Sequence, residues 1–247
     1  RVELNYPIEN IDRTIGARLS GEIAALHGDA GLADDTIKIR LNGTAGQSFG
    51  AWNINGVSLD LRGPANDYVA KGMAGGVISV APARAGGVPH AAGNAVLYGA
   101  TGGRLFLAGK TGQRFAVRNS GATAVVEGVS DHACEYMTGG TVVVIGDVGR
   151  NFAAGMTGGI AMVWDPTIGL KARLAETAPA ARRPLPAELA LLRSLLEEHY
   201  ERTSSPIAGR LLEQESALGE FWVIEPKGDV DHPSEVIVVT ETVEVGD

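Results

Sequence analysis

The sequence predicts an all-β fold: a right-handed, single-stranded parallel β-helix of about seven coils, followed by C-terminal α-helices and an acidic tail. Three observations predict it. A unit recurs along the chain at nearly constant length, apolar residues alternate within that unit with period two, and glycine marks its corners. Strands that repeat without helices between them can bury a face only against copies of themselves.

The repeat is anchored on Gly56, Gly75, Gly102, Gly121, Gly139 and Gly158, with Gly63, Pro82, Gly109, Gly128, Gly146 and Asp165 seven positions later. An earlier unit, Ile37 to Gly43, fits the same frame. Closing positions follow at steps of 18 to 20 residues, except one step of 27 that contains an insertion from Arg84 to Gly93, read as a surface loop. The six anchoring glycines are expected at turns, where positive φ carries no steric cost for glycine.

One column of the unit reads Ile39, Leu59, Ile78, Leu105, Ala124, Val142, Ala161, and the column two later reads Leu41, Leu61, Val80, Leu107, Val126, Val144, Val163. Period-two alternation turns both inward. A second strand is expected before each glycine, with Phe49, Val69, Val96, Phe115, Ala133, Phe152 and their successors Gly50, Ala70, Leu97, Ala116, Cys134, Ala153 also buried. The intervening column reads Arg40, Asp60, Ser79, Phe106, Val125, Val143, Met162, polar early and apolar late. Phe106, Val125, Val143 and Met162 therefore form a candidate docking strip, covered either by the chain's own C-terminal helices or by other domains of a larger polypeptide.

The organisation expected is an N-terminal lead-in over 1–30, the β-helix over 31–170, a linker with C-terminal helices over 171–224, and an acidic tail over 225–247. Pro184-Leu-Pro186 opens a helix running to about Arg202, with Leu189, Leu192, Leu195, Leu196 and Tyr200 on one face, and a second helix is expected from Pro206 to Glu215. In the tail, Glu225, Asp229, Asp231, Glu235, Glu241, Glu244 and Asp247 stand against Lys227 alone, and Val236 to Val239 can add a strand.

Composition excludes several classes. A net charge of −8, from 21 basic and 29 acidic residues with no basic stripe, gives nucleic acid no electrostatic footprint. The single cysteine, Cys134, forms no intrachain disulfide and cannot supply the thiolates of an iron–sulfur cluster or a structural zinc, which fits a reducing cytoplasm. No run of eighteen apolar residues and no signal-peptide pattern directs the chain to a membrane. The chain starts at Arg1 rather than at methionine, as a piece of a longer polypeptide would.

Candidate chemistry is sparse. The glycine-rich stretch Lys71 to Gly76 and its copies lack the strand-then-helix context of a dinucleotide loop, so they read as turns. His132 and Cys134 lie close together, but Cys134 shares its column with Ala70, Ala116 and Ala153, which assigns it to packing. His27, His90, His199 and His232 show no metal-ligand spacing. No catalytic, cofactor-binding or metal site is expected. A left-handed hexapeptide helix is excluded because stepping by six from Val126 gives His132, Thr138, Val144, Arg150 and Met156. A polysaccharide lyase would gather acidic or metal-binding groups on one outer strip, and the outer column does not.

Arg13 to Gly21, Gly43 to Gly50, Ala65 to Gly72, Leu97 to Gly102, Arg114 to Gly121 and Asn151 to Gly159 resemble, in order, the C-terminal GXGXG domain of glutamate synthase large subunits. The resemblance implies a non-catalytic scaffold within an oxidoreductase that converts glutamine and 2-oxoglutarate into two glutamates. It also implies that FMN, an iron–sulfur cluster and NADPH or ferredoxin serve the intact enzyme, with none bound in this chain. The partners implied are the amidotransferase and synthase domains of the parent polypeptide and the small electron-delivering subunit. Self-association of the isolated chain through a coil edge or a bared strip is a further expectation. The competing resemblance is to a β-helix assembly module of another redox complex, such as the one in formylmethanofuran dehydrogenase.

Overall fold

A computed structural model describes residues 1–83, 90–226 and 236–237. Its thirteen strands are β1 (Val2–Ile8), β2 (Ile37–Gly43), β3 (Val57–Arg62), β4 (Ala74–Ala81), β5 (His90–Ala92), β6 (Gly102–Leu107), β7 (Lys110–Thr111), β8 (Ser120–Val126), β9 (Thr138–Val144), β10 (Gly158–Trp164), β11 (Ala181–Arg182), β12 (Phe221–Ile224) and β13 (Val236–Ile237). The helices are α1 (Ala17–His27), α2 (Pro186–Thr203), α3 (Pro206–Glu213) and α4 (Glu215–Leu218).

Eleven strands form one sheet in the order β1-β2-β3-β4-β6-β8-β9-β10-β12-β11-β13, parallel from β1 to β10 and antiparallel thereafter. Short β5 and β7 pair separately. Register follows the sequence columns: Ile39 lies beside Leu59, Leu59 beside Ile78, Ile78 beside Leu105, Leu105 beside Ala124, Ala124 beside Val142 and Val142 beside Ala161.

The expected all-β β-helix is corrected by this architecture, which is mixed α/β: a mostly parallel sheet with helices packed on its outer face. Two findings overturn it. First, the segments before each glycine are turns in which left-handed residues alternate with residues of negative φ: Ser48, Gly50 and Trp52; Tyr68, Ala70 and Gly72; Arg114, Ala116 and Arg118; His132, Cys134 and Tyr136 all have φ between 53° and 66°. Second, the outer column is covered by this chain's own helices. Phe106, Val125, Val143 and Met162 are each fully buried, in one cluster with Leu192, Leu195, Leu196, Ala208 and Leu211. The strip therefore offers no docking surface; it is the floor of a second core.

The turn segments still stack in register. Tyr68 N–H donates to Asn94 O, Arg114 N–H to Asp131 O and His132 N–H to Arg150 O, each 2.9 Å, while Ala70 N–H reaches back to Phe49 O at 2.9 Å. Phe49, Val69, Val96, Phe115, Ala133 and Phe152 close the inner core against the sheet. Both ends of this stack are covered. Thr14 and Gly16 repeat the left-handed pattern at one end, bonding to the 47–50 segment, and α1 follows with Ile23 buried. Residues 173–175 pair with Phe152 at the other end.

The anchoring glycines serve a different purpose from the one expected. Only Gly56 has positive φ (89°). A Cβ on Gly121, Gly139 or Gly158 would sit 2.2 Å from the carbonyl oxygen of Thr101, Ser120 or Thr138, and on Gly102 2.5 Å from that of Ala74. At Gly75 the obstacle, also at 2.2 Å, is the Asn55 side chain. These positions demand glycine for close approach, and positive φ falls one residue later, at Gly76, Gly103, Gly140 and Gly159.

The C-terminal helices form where proline and capping place them. Pro186 opens α2, and the Leu185 N–H donates to the Glu188 carboxylate at 2.6 Å. Ser205 caps α3 by accepting from Ala208 N–H at 3.1 Å. Most of the 84–93 insertion and most of the acidic tail, including 238–239 of its expected strand, lie outside the described residues.

Candidate interdomain interface

With the sheet's apolar outer strip covered and the ends closed, the turn stack keeps one face that nothing in the described chain covers. Residues such as Phe49 and Phe115 point into the core, while Trp52, Tyr68, Arg114, Arg118 and Tyr136, all left-handed, stay exposed. Trp52 is 55% accessible, Tyr68 41% and Tyr136 53%.

Glycines give these rings a floor. A Cβ on Gly72 would lie 2.9 Å from Trp52 Cδ1, and one on Gly155 would lie 2.7 Å from Tyr136 Cδ1, so each ring spans the next layer of the stack. Lys71 Nζ sits 5.5 Å from the centre of the Tyr68 ring. Arg150 grips Asp131 through its Nη2 at 2.9 Å, and the Arg150 backbone N–H, donating to the same carboxylate, is the chief cause holding Asp131 below the usual carboxylate range. Arg114 and Arg118 are exposed and make no ion pair among the described residues.

His132 and Cys134 share left-handed φ but differ in surroundings. His132 stays partly accessible, its Nδ1 3.7 Å from Glu135 Oε1, whereas Cys134 is fully buried, and desolvation pushes its thiol far above the ordinary range. A buried neutral thiol is a packing group.

Two further polar clusters lie elsewhere. On the outer face of β1–β3, a cleft of about 440 Å³ is lined by Lys38, Arg40, Asp60, Arg62 and Arg202 among others. Most of its charges are already engaged: Lys38 pairs with Asp60 at 3.2 Å, Arg40 with Glu3 at 2.9 Å, and Ser58 donates to Asp35 at 2.7 Å, which lowers the Asp35 pKa. Between sheet and helices, fully buried His199 stacks on Phe106 and lies 3.7 Å from Glu127, which accepts from Ser205. Ser205 donates to the glutamate rather than to the histidine, so the trio is not a nucleophile–base arrangement. Desolvation lowers the His199 pKa, opposed by Glu127.

The chain's residues do not fit the cofactors that the resemblance implies for the intact enzyme. An iron–sulfur cluster needs several thiolates, and Cys134 is single and enclosed in the core. A flavin phosphate would need open space at the glycine turns, where carbonyl oxygens of the preceding layer or the Asn55 side chain already stand. Among the described residues no group of three or more His, Cys, Asp or Glu is placed to hold a metal ion. None of the helices is long and apolar enough to cross a membrane, among the same residues.

The interface residues were not singled out by sequence reasoning, although a signal exists. Trp52, Arg118 and Tyr136 occupy one column, with Gly72, Gly99 and Gly155 filling the other layers. Large residues interspersed with glycines in one column at the repeat distance mark rings and cations lying along a surface.

A family model described as the GXGXG motif matches residues 1–227. The chain is similar to ferredoxin-dependent glutamate synthase 1, chloroplastic/mitochondrial, of Arabidopsis thaliana, at 48% identity over 99% of this chain and 16% of that protein. It is similar to the NADH glutamate synthase of Schizosaccharomyces pombe at 49% identity (83% of this chain, 10% of that protein) and to the NADPH glutamate synthase large chain of Azospirillum brasilense at 46% (92% and 15%). The chain thus spans about a sixth or less of the length of these relatives. The names of these relatives give ferredoxin, NADH and NADPH as electron donors, and the Arabidopsis name gives chloroplast and mitochondrion rather than the cytoplasm.

Proposed function

The chain belongs to the GXGXG-motif family, whose matched relatives are glutamate synthases, and from that premise we propose that it is a non-catalytic scaffold domain of a glutamate synthase large subunit. It holds a glutamine amidotransferase domain and an FMN-containing synthase domain in register for L-glutamate synthesis from glutamine and 2-oxoglutarate. The observation that carries this reading is the uncovered face of the turn stack, where Trp52, Tyr68 and Tyr136 stand exposed on a backbone hydrogen-bonded layer to layer. Aromatic residues held rigidly at a surface are what protein interfaces use.

The role is geometric. Two reacting centres that share a released intermediate must keep their relative placement, and a displacement of about 1 Å can cost about a hundredfold in rate. A continuous hydrogen-bonded stack resists such displacement better than a flexible linker.

The test uses a full-length large subunit carrying this chain, with Trp52→Glu and Tyr136→Glu introduced together. Free ammonia per glutamate formed should rise several-fold, with glutaminase activity measured alone retained. An unchanged ratio would sink the scaffold reading.

A further inference from the structure

We infer that the turn face docks a carboxylate-bearing surface of another domain of the same polypeptide, with Arg114 and Arg118 as its anchoring cations; the inference rests on the scaffold reading for the source of that surface.

Arg13, Arg18, Lys171, Arg173 and Arg210 also lack an ion pair among the described residues, but they lie in the segments at the ends of the stack or on α1 and α3, and several other cations are engaged. Asp131 holds Arg150, the Tyr68 ring faces Lys71, Glu198 holds Arg104 at 3.0 Å, and Glu188 holds Arg182. Arg114 and Arg118 stand apart from this pattern, exposed and without an ion pair among the described residues. Each is fixed at its base: Arg114 has φ 64° and donates its N–H to Asp131 O at 2.9 Å, and Arg118 has φ 56° and donates to Glu135 O at 3.0 Å. Left-handed φ at a non-glycine residue is sterically unfavourable. Here the layer-to-layer bonds impose it, so the two side chains leave the surface in set directions from one layer.

A guanidinium is a planar fork of donors that matches a carboxylate in bidentate fashion. Tyr136 lies one layer, about 4.8 Å, from Arg118, since the Arg118 N–H bonds to the residue preceding it. Arginine beside exposed tyrosine is a composition enriched at the energetic centres of protein interfaces. The chain as a whole carries −8, which repels a long polyanion and leaves a local acidic patch as the matching partner. The relatives are at least about six times as long as this chain, so that patch belongs to the same polypeptide. Tethering then supplies a high effective concentration without a large interface.

The experiment is hydroxyl-radical footprinting of the full-length large subunit as wild type, as Arg114→Glu with Arg118→Glu, and as Arg114→Lys with Arg118→Lys. Tyr136, Tyr200 and Tyr6 have similar accessibility within this chain, 53%, 49% and 52%, so they provide an internal comparison. Wild-type Tyr136 should be oxidised several-fold more slowly than Tyr200, the glutamate pair should abolish that protection, and the lysine pair should retain part of it, more so at low salt. Far-UV circular dichroism should be unchanged in all three. Equal oxidation of Tyr136 and Tyr200 in the wild type would overturn the proposal, as would protection that survives charge reversal. Protection that grows with protein concentration would assign the face to a second copy, and protection that needs an added small subunit would assign it to that subunit; either overturns the tethered occupant. Normal ammonia coupling in the charge-reversed pair, with protection lost, would remove the scaffold role while leaving the docking face standing.

Discussion

Replacing Val143 with aspartate tests whether the outer face of the sheet is a dry core. Val143 is fully buried between Val125 and Met162 on the adjacent strands, under the leucines of α2 and α3. The side chains packed around it are apolar, and the buried His199 stacks on Phe106 two strands away. The folded state must therefore keep the introduced aspartate protonated, while the unfolded chain ionises it near pH 3.9. Folded-state pKa raised above unfolded means that stability is intact below about pH 3.9 and falls by about 1.4 kcal/mol for each pH unit above it, until the folded-state pKa is reached. If burial holds that pKa above neutrality, the ionic penalty at pH 7 reaches about 4 kcal/mol. Val143→Asn supplies a neutral control of the same shape. Urea unfolding of both variants from pH 4 to pH 7.5, followed by far-UV circular dichroism, should show coincident midpoints at pH 4 and a widening gap above it, with the aspartate variant the weaker. Equal midpoints at pH 7.5 would mean that water reaches the strip and that α2 and α3 do not seal it.

Gly139→Ala places a methyl 2.2 Å from the Ser120 carbonyl oxygen and should lower the melting temperature by many degrees, whereas Gly21→Ala, in α1 with nothing within 4 Å, should stabilise by roughly 0.5–1 kcal/mol; calorimetry of the two variants checks both signs. His199 is kept neutral by desolvation, so the unfolded chain binds the extra proton below the ordinary value of 6.5 and stability should decline as pH falls beneath it. His199→Gln should flatten that part of a urea-midpoint profile, and an unaltered slope would place the titrating group elsewhere.

Much of the sheet was legible because parallel strands in register make the sequence columns physical: Leu41, Leu61, Val80, Leu107, Val126, Val144 and Val163 face one core. The turn segments were misread as strands, although one cue argued against it. Val69 and Ala70, Phe115 and Ala116, and Ala133 and Cys134 are adjacent pairs packed into the same inner core, whereas successive side chains of a pleated strand point to opposite faces. Left-handed φ at residues such as Tyr68 and Arg114 has no compositional signature, since tertiary hydrogen bonds rather than propensity impose it. Helix α1 was missed for a local reason: Gly21 lies inside it, and Gly16 at its start supplies no side-chain cap. The glycines were found at the right places for an incomplete reason, because sequence reveals the absence of a side chain but not whether rotation or proximity requires it. The exposed face escaped notice because outward direction depends on that same hidden backbone state.

The covered ends have a consequence for how such a chain can change over generations. Because α1 with the 14–16 segment closes one end and residues 173–175 close the other, a whole unit of about 19 residues gained or lost between them leaves the inner core capped, and near β2 to β4, where the outer column is Arg40, Asp60 and Ser79, it needs no helix above it. Each such event alters the separation of the two ends by one strand spacing, about 4.8 Å, and by nothing in between. The chain is thus a ruler with discrete gradations, and anything fastened near its two ends is set apart by a whole number of layers.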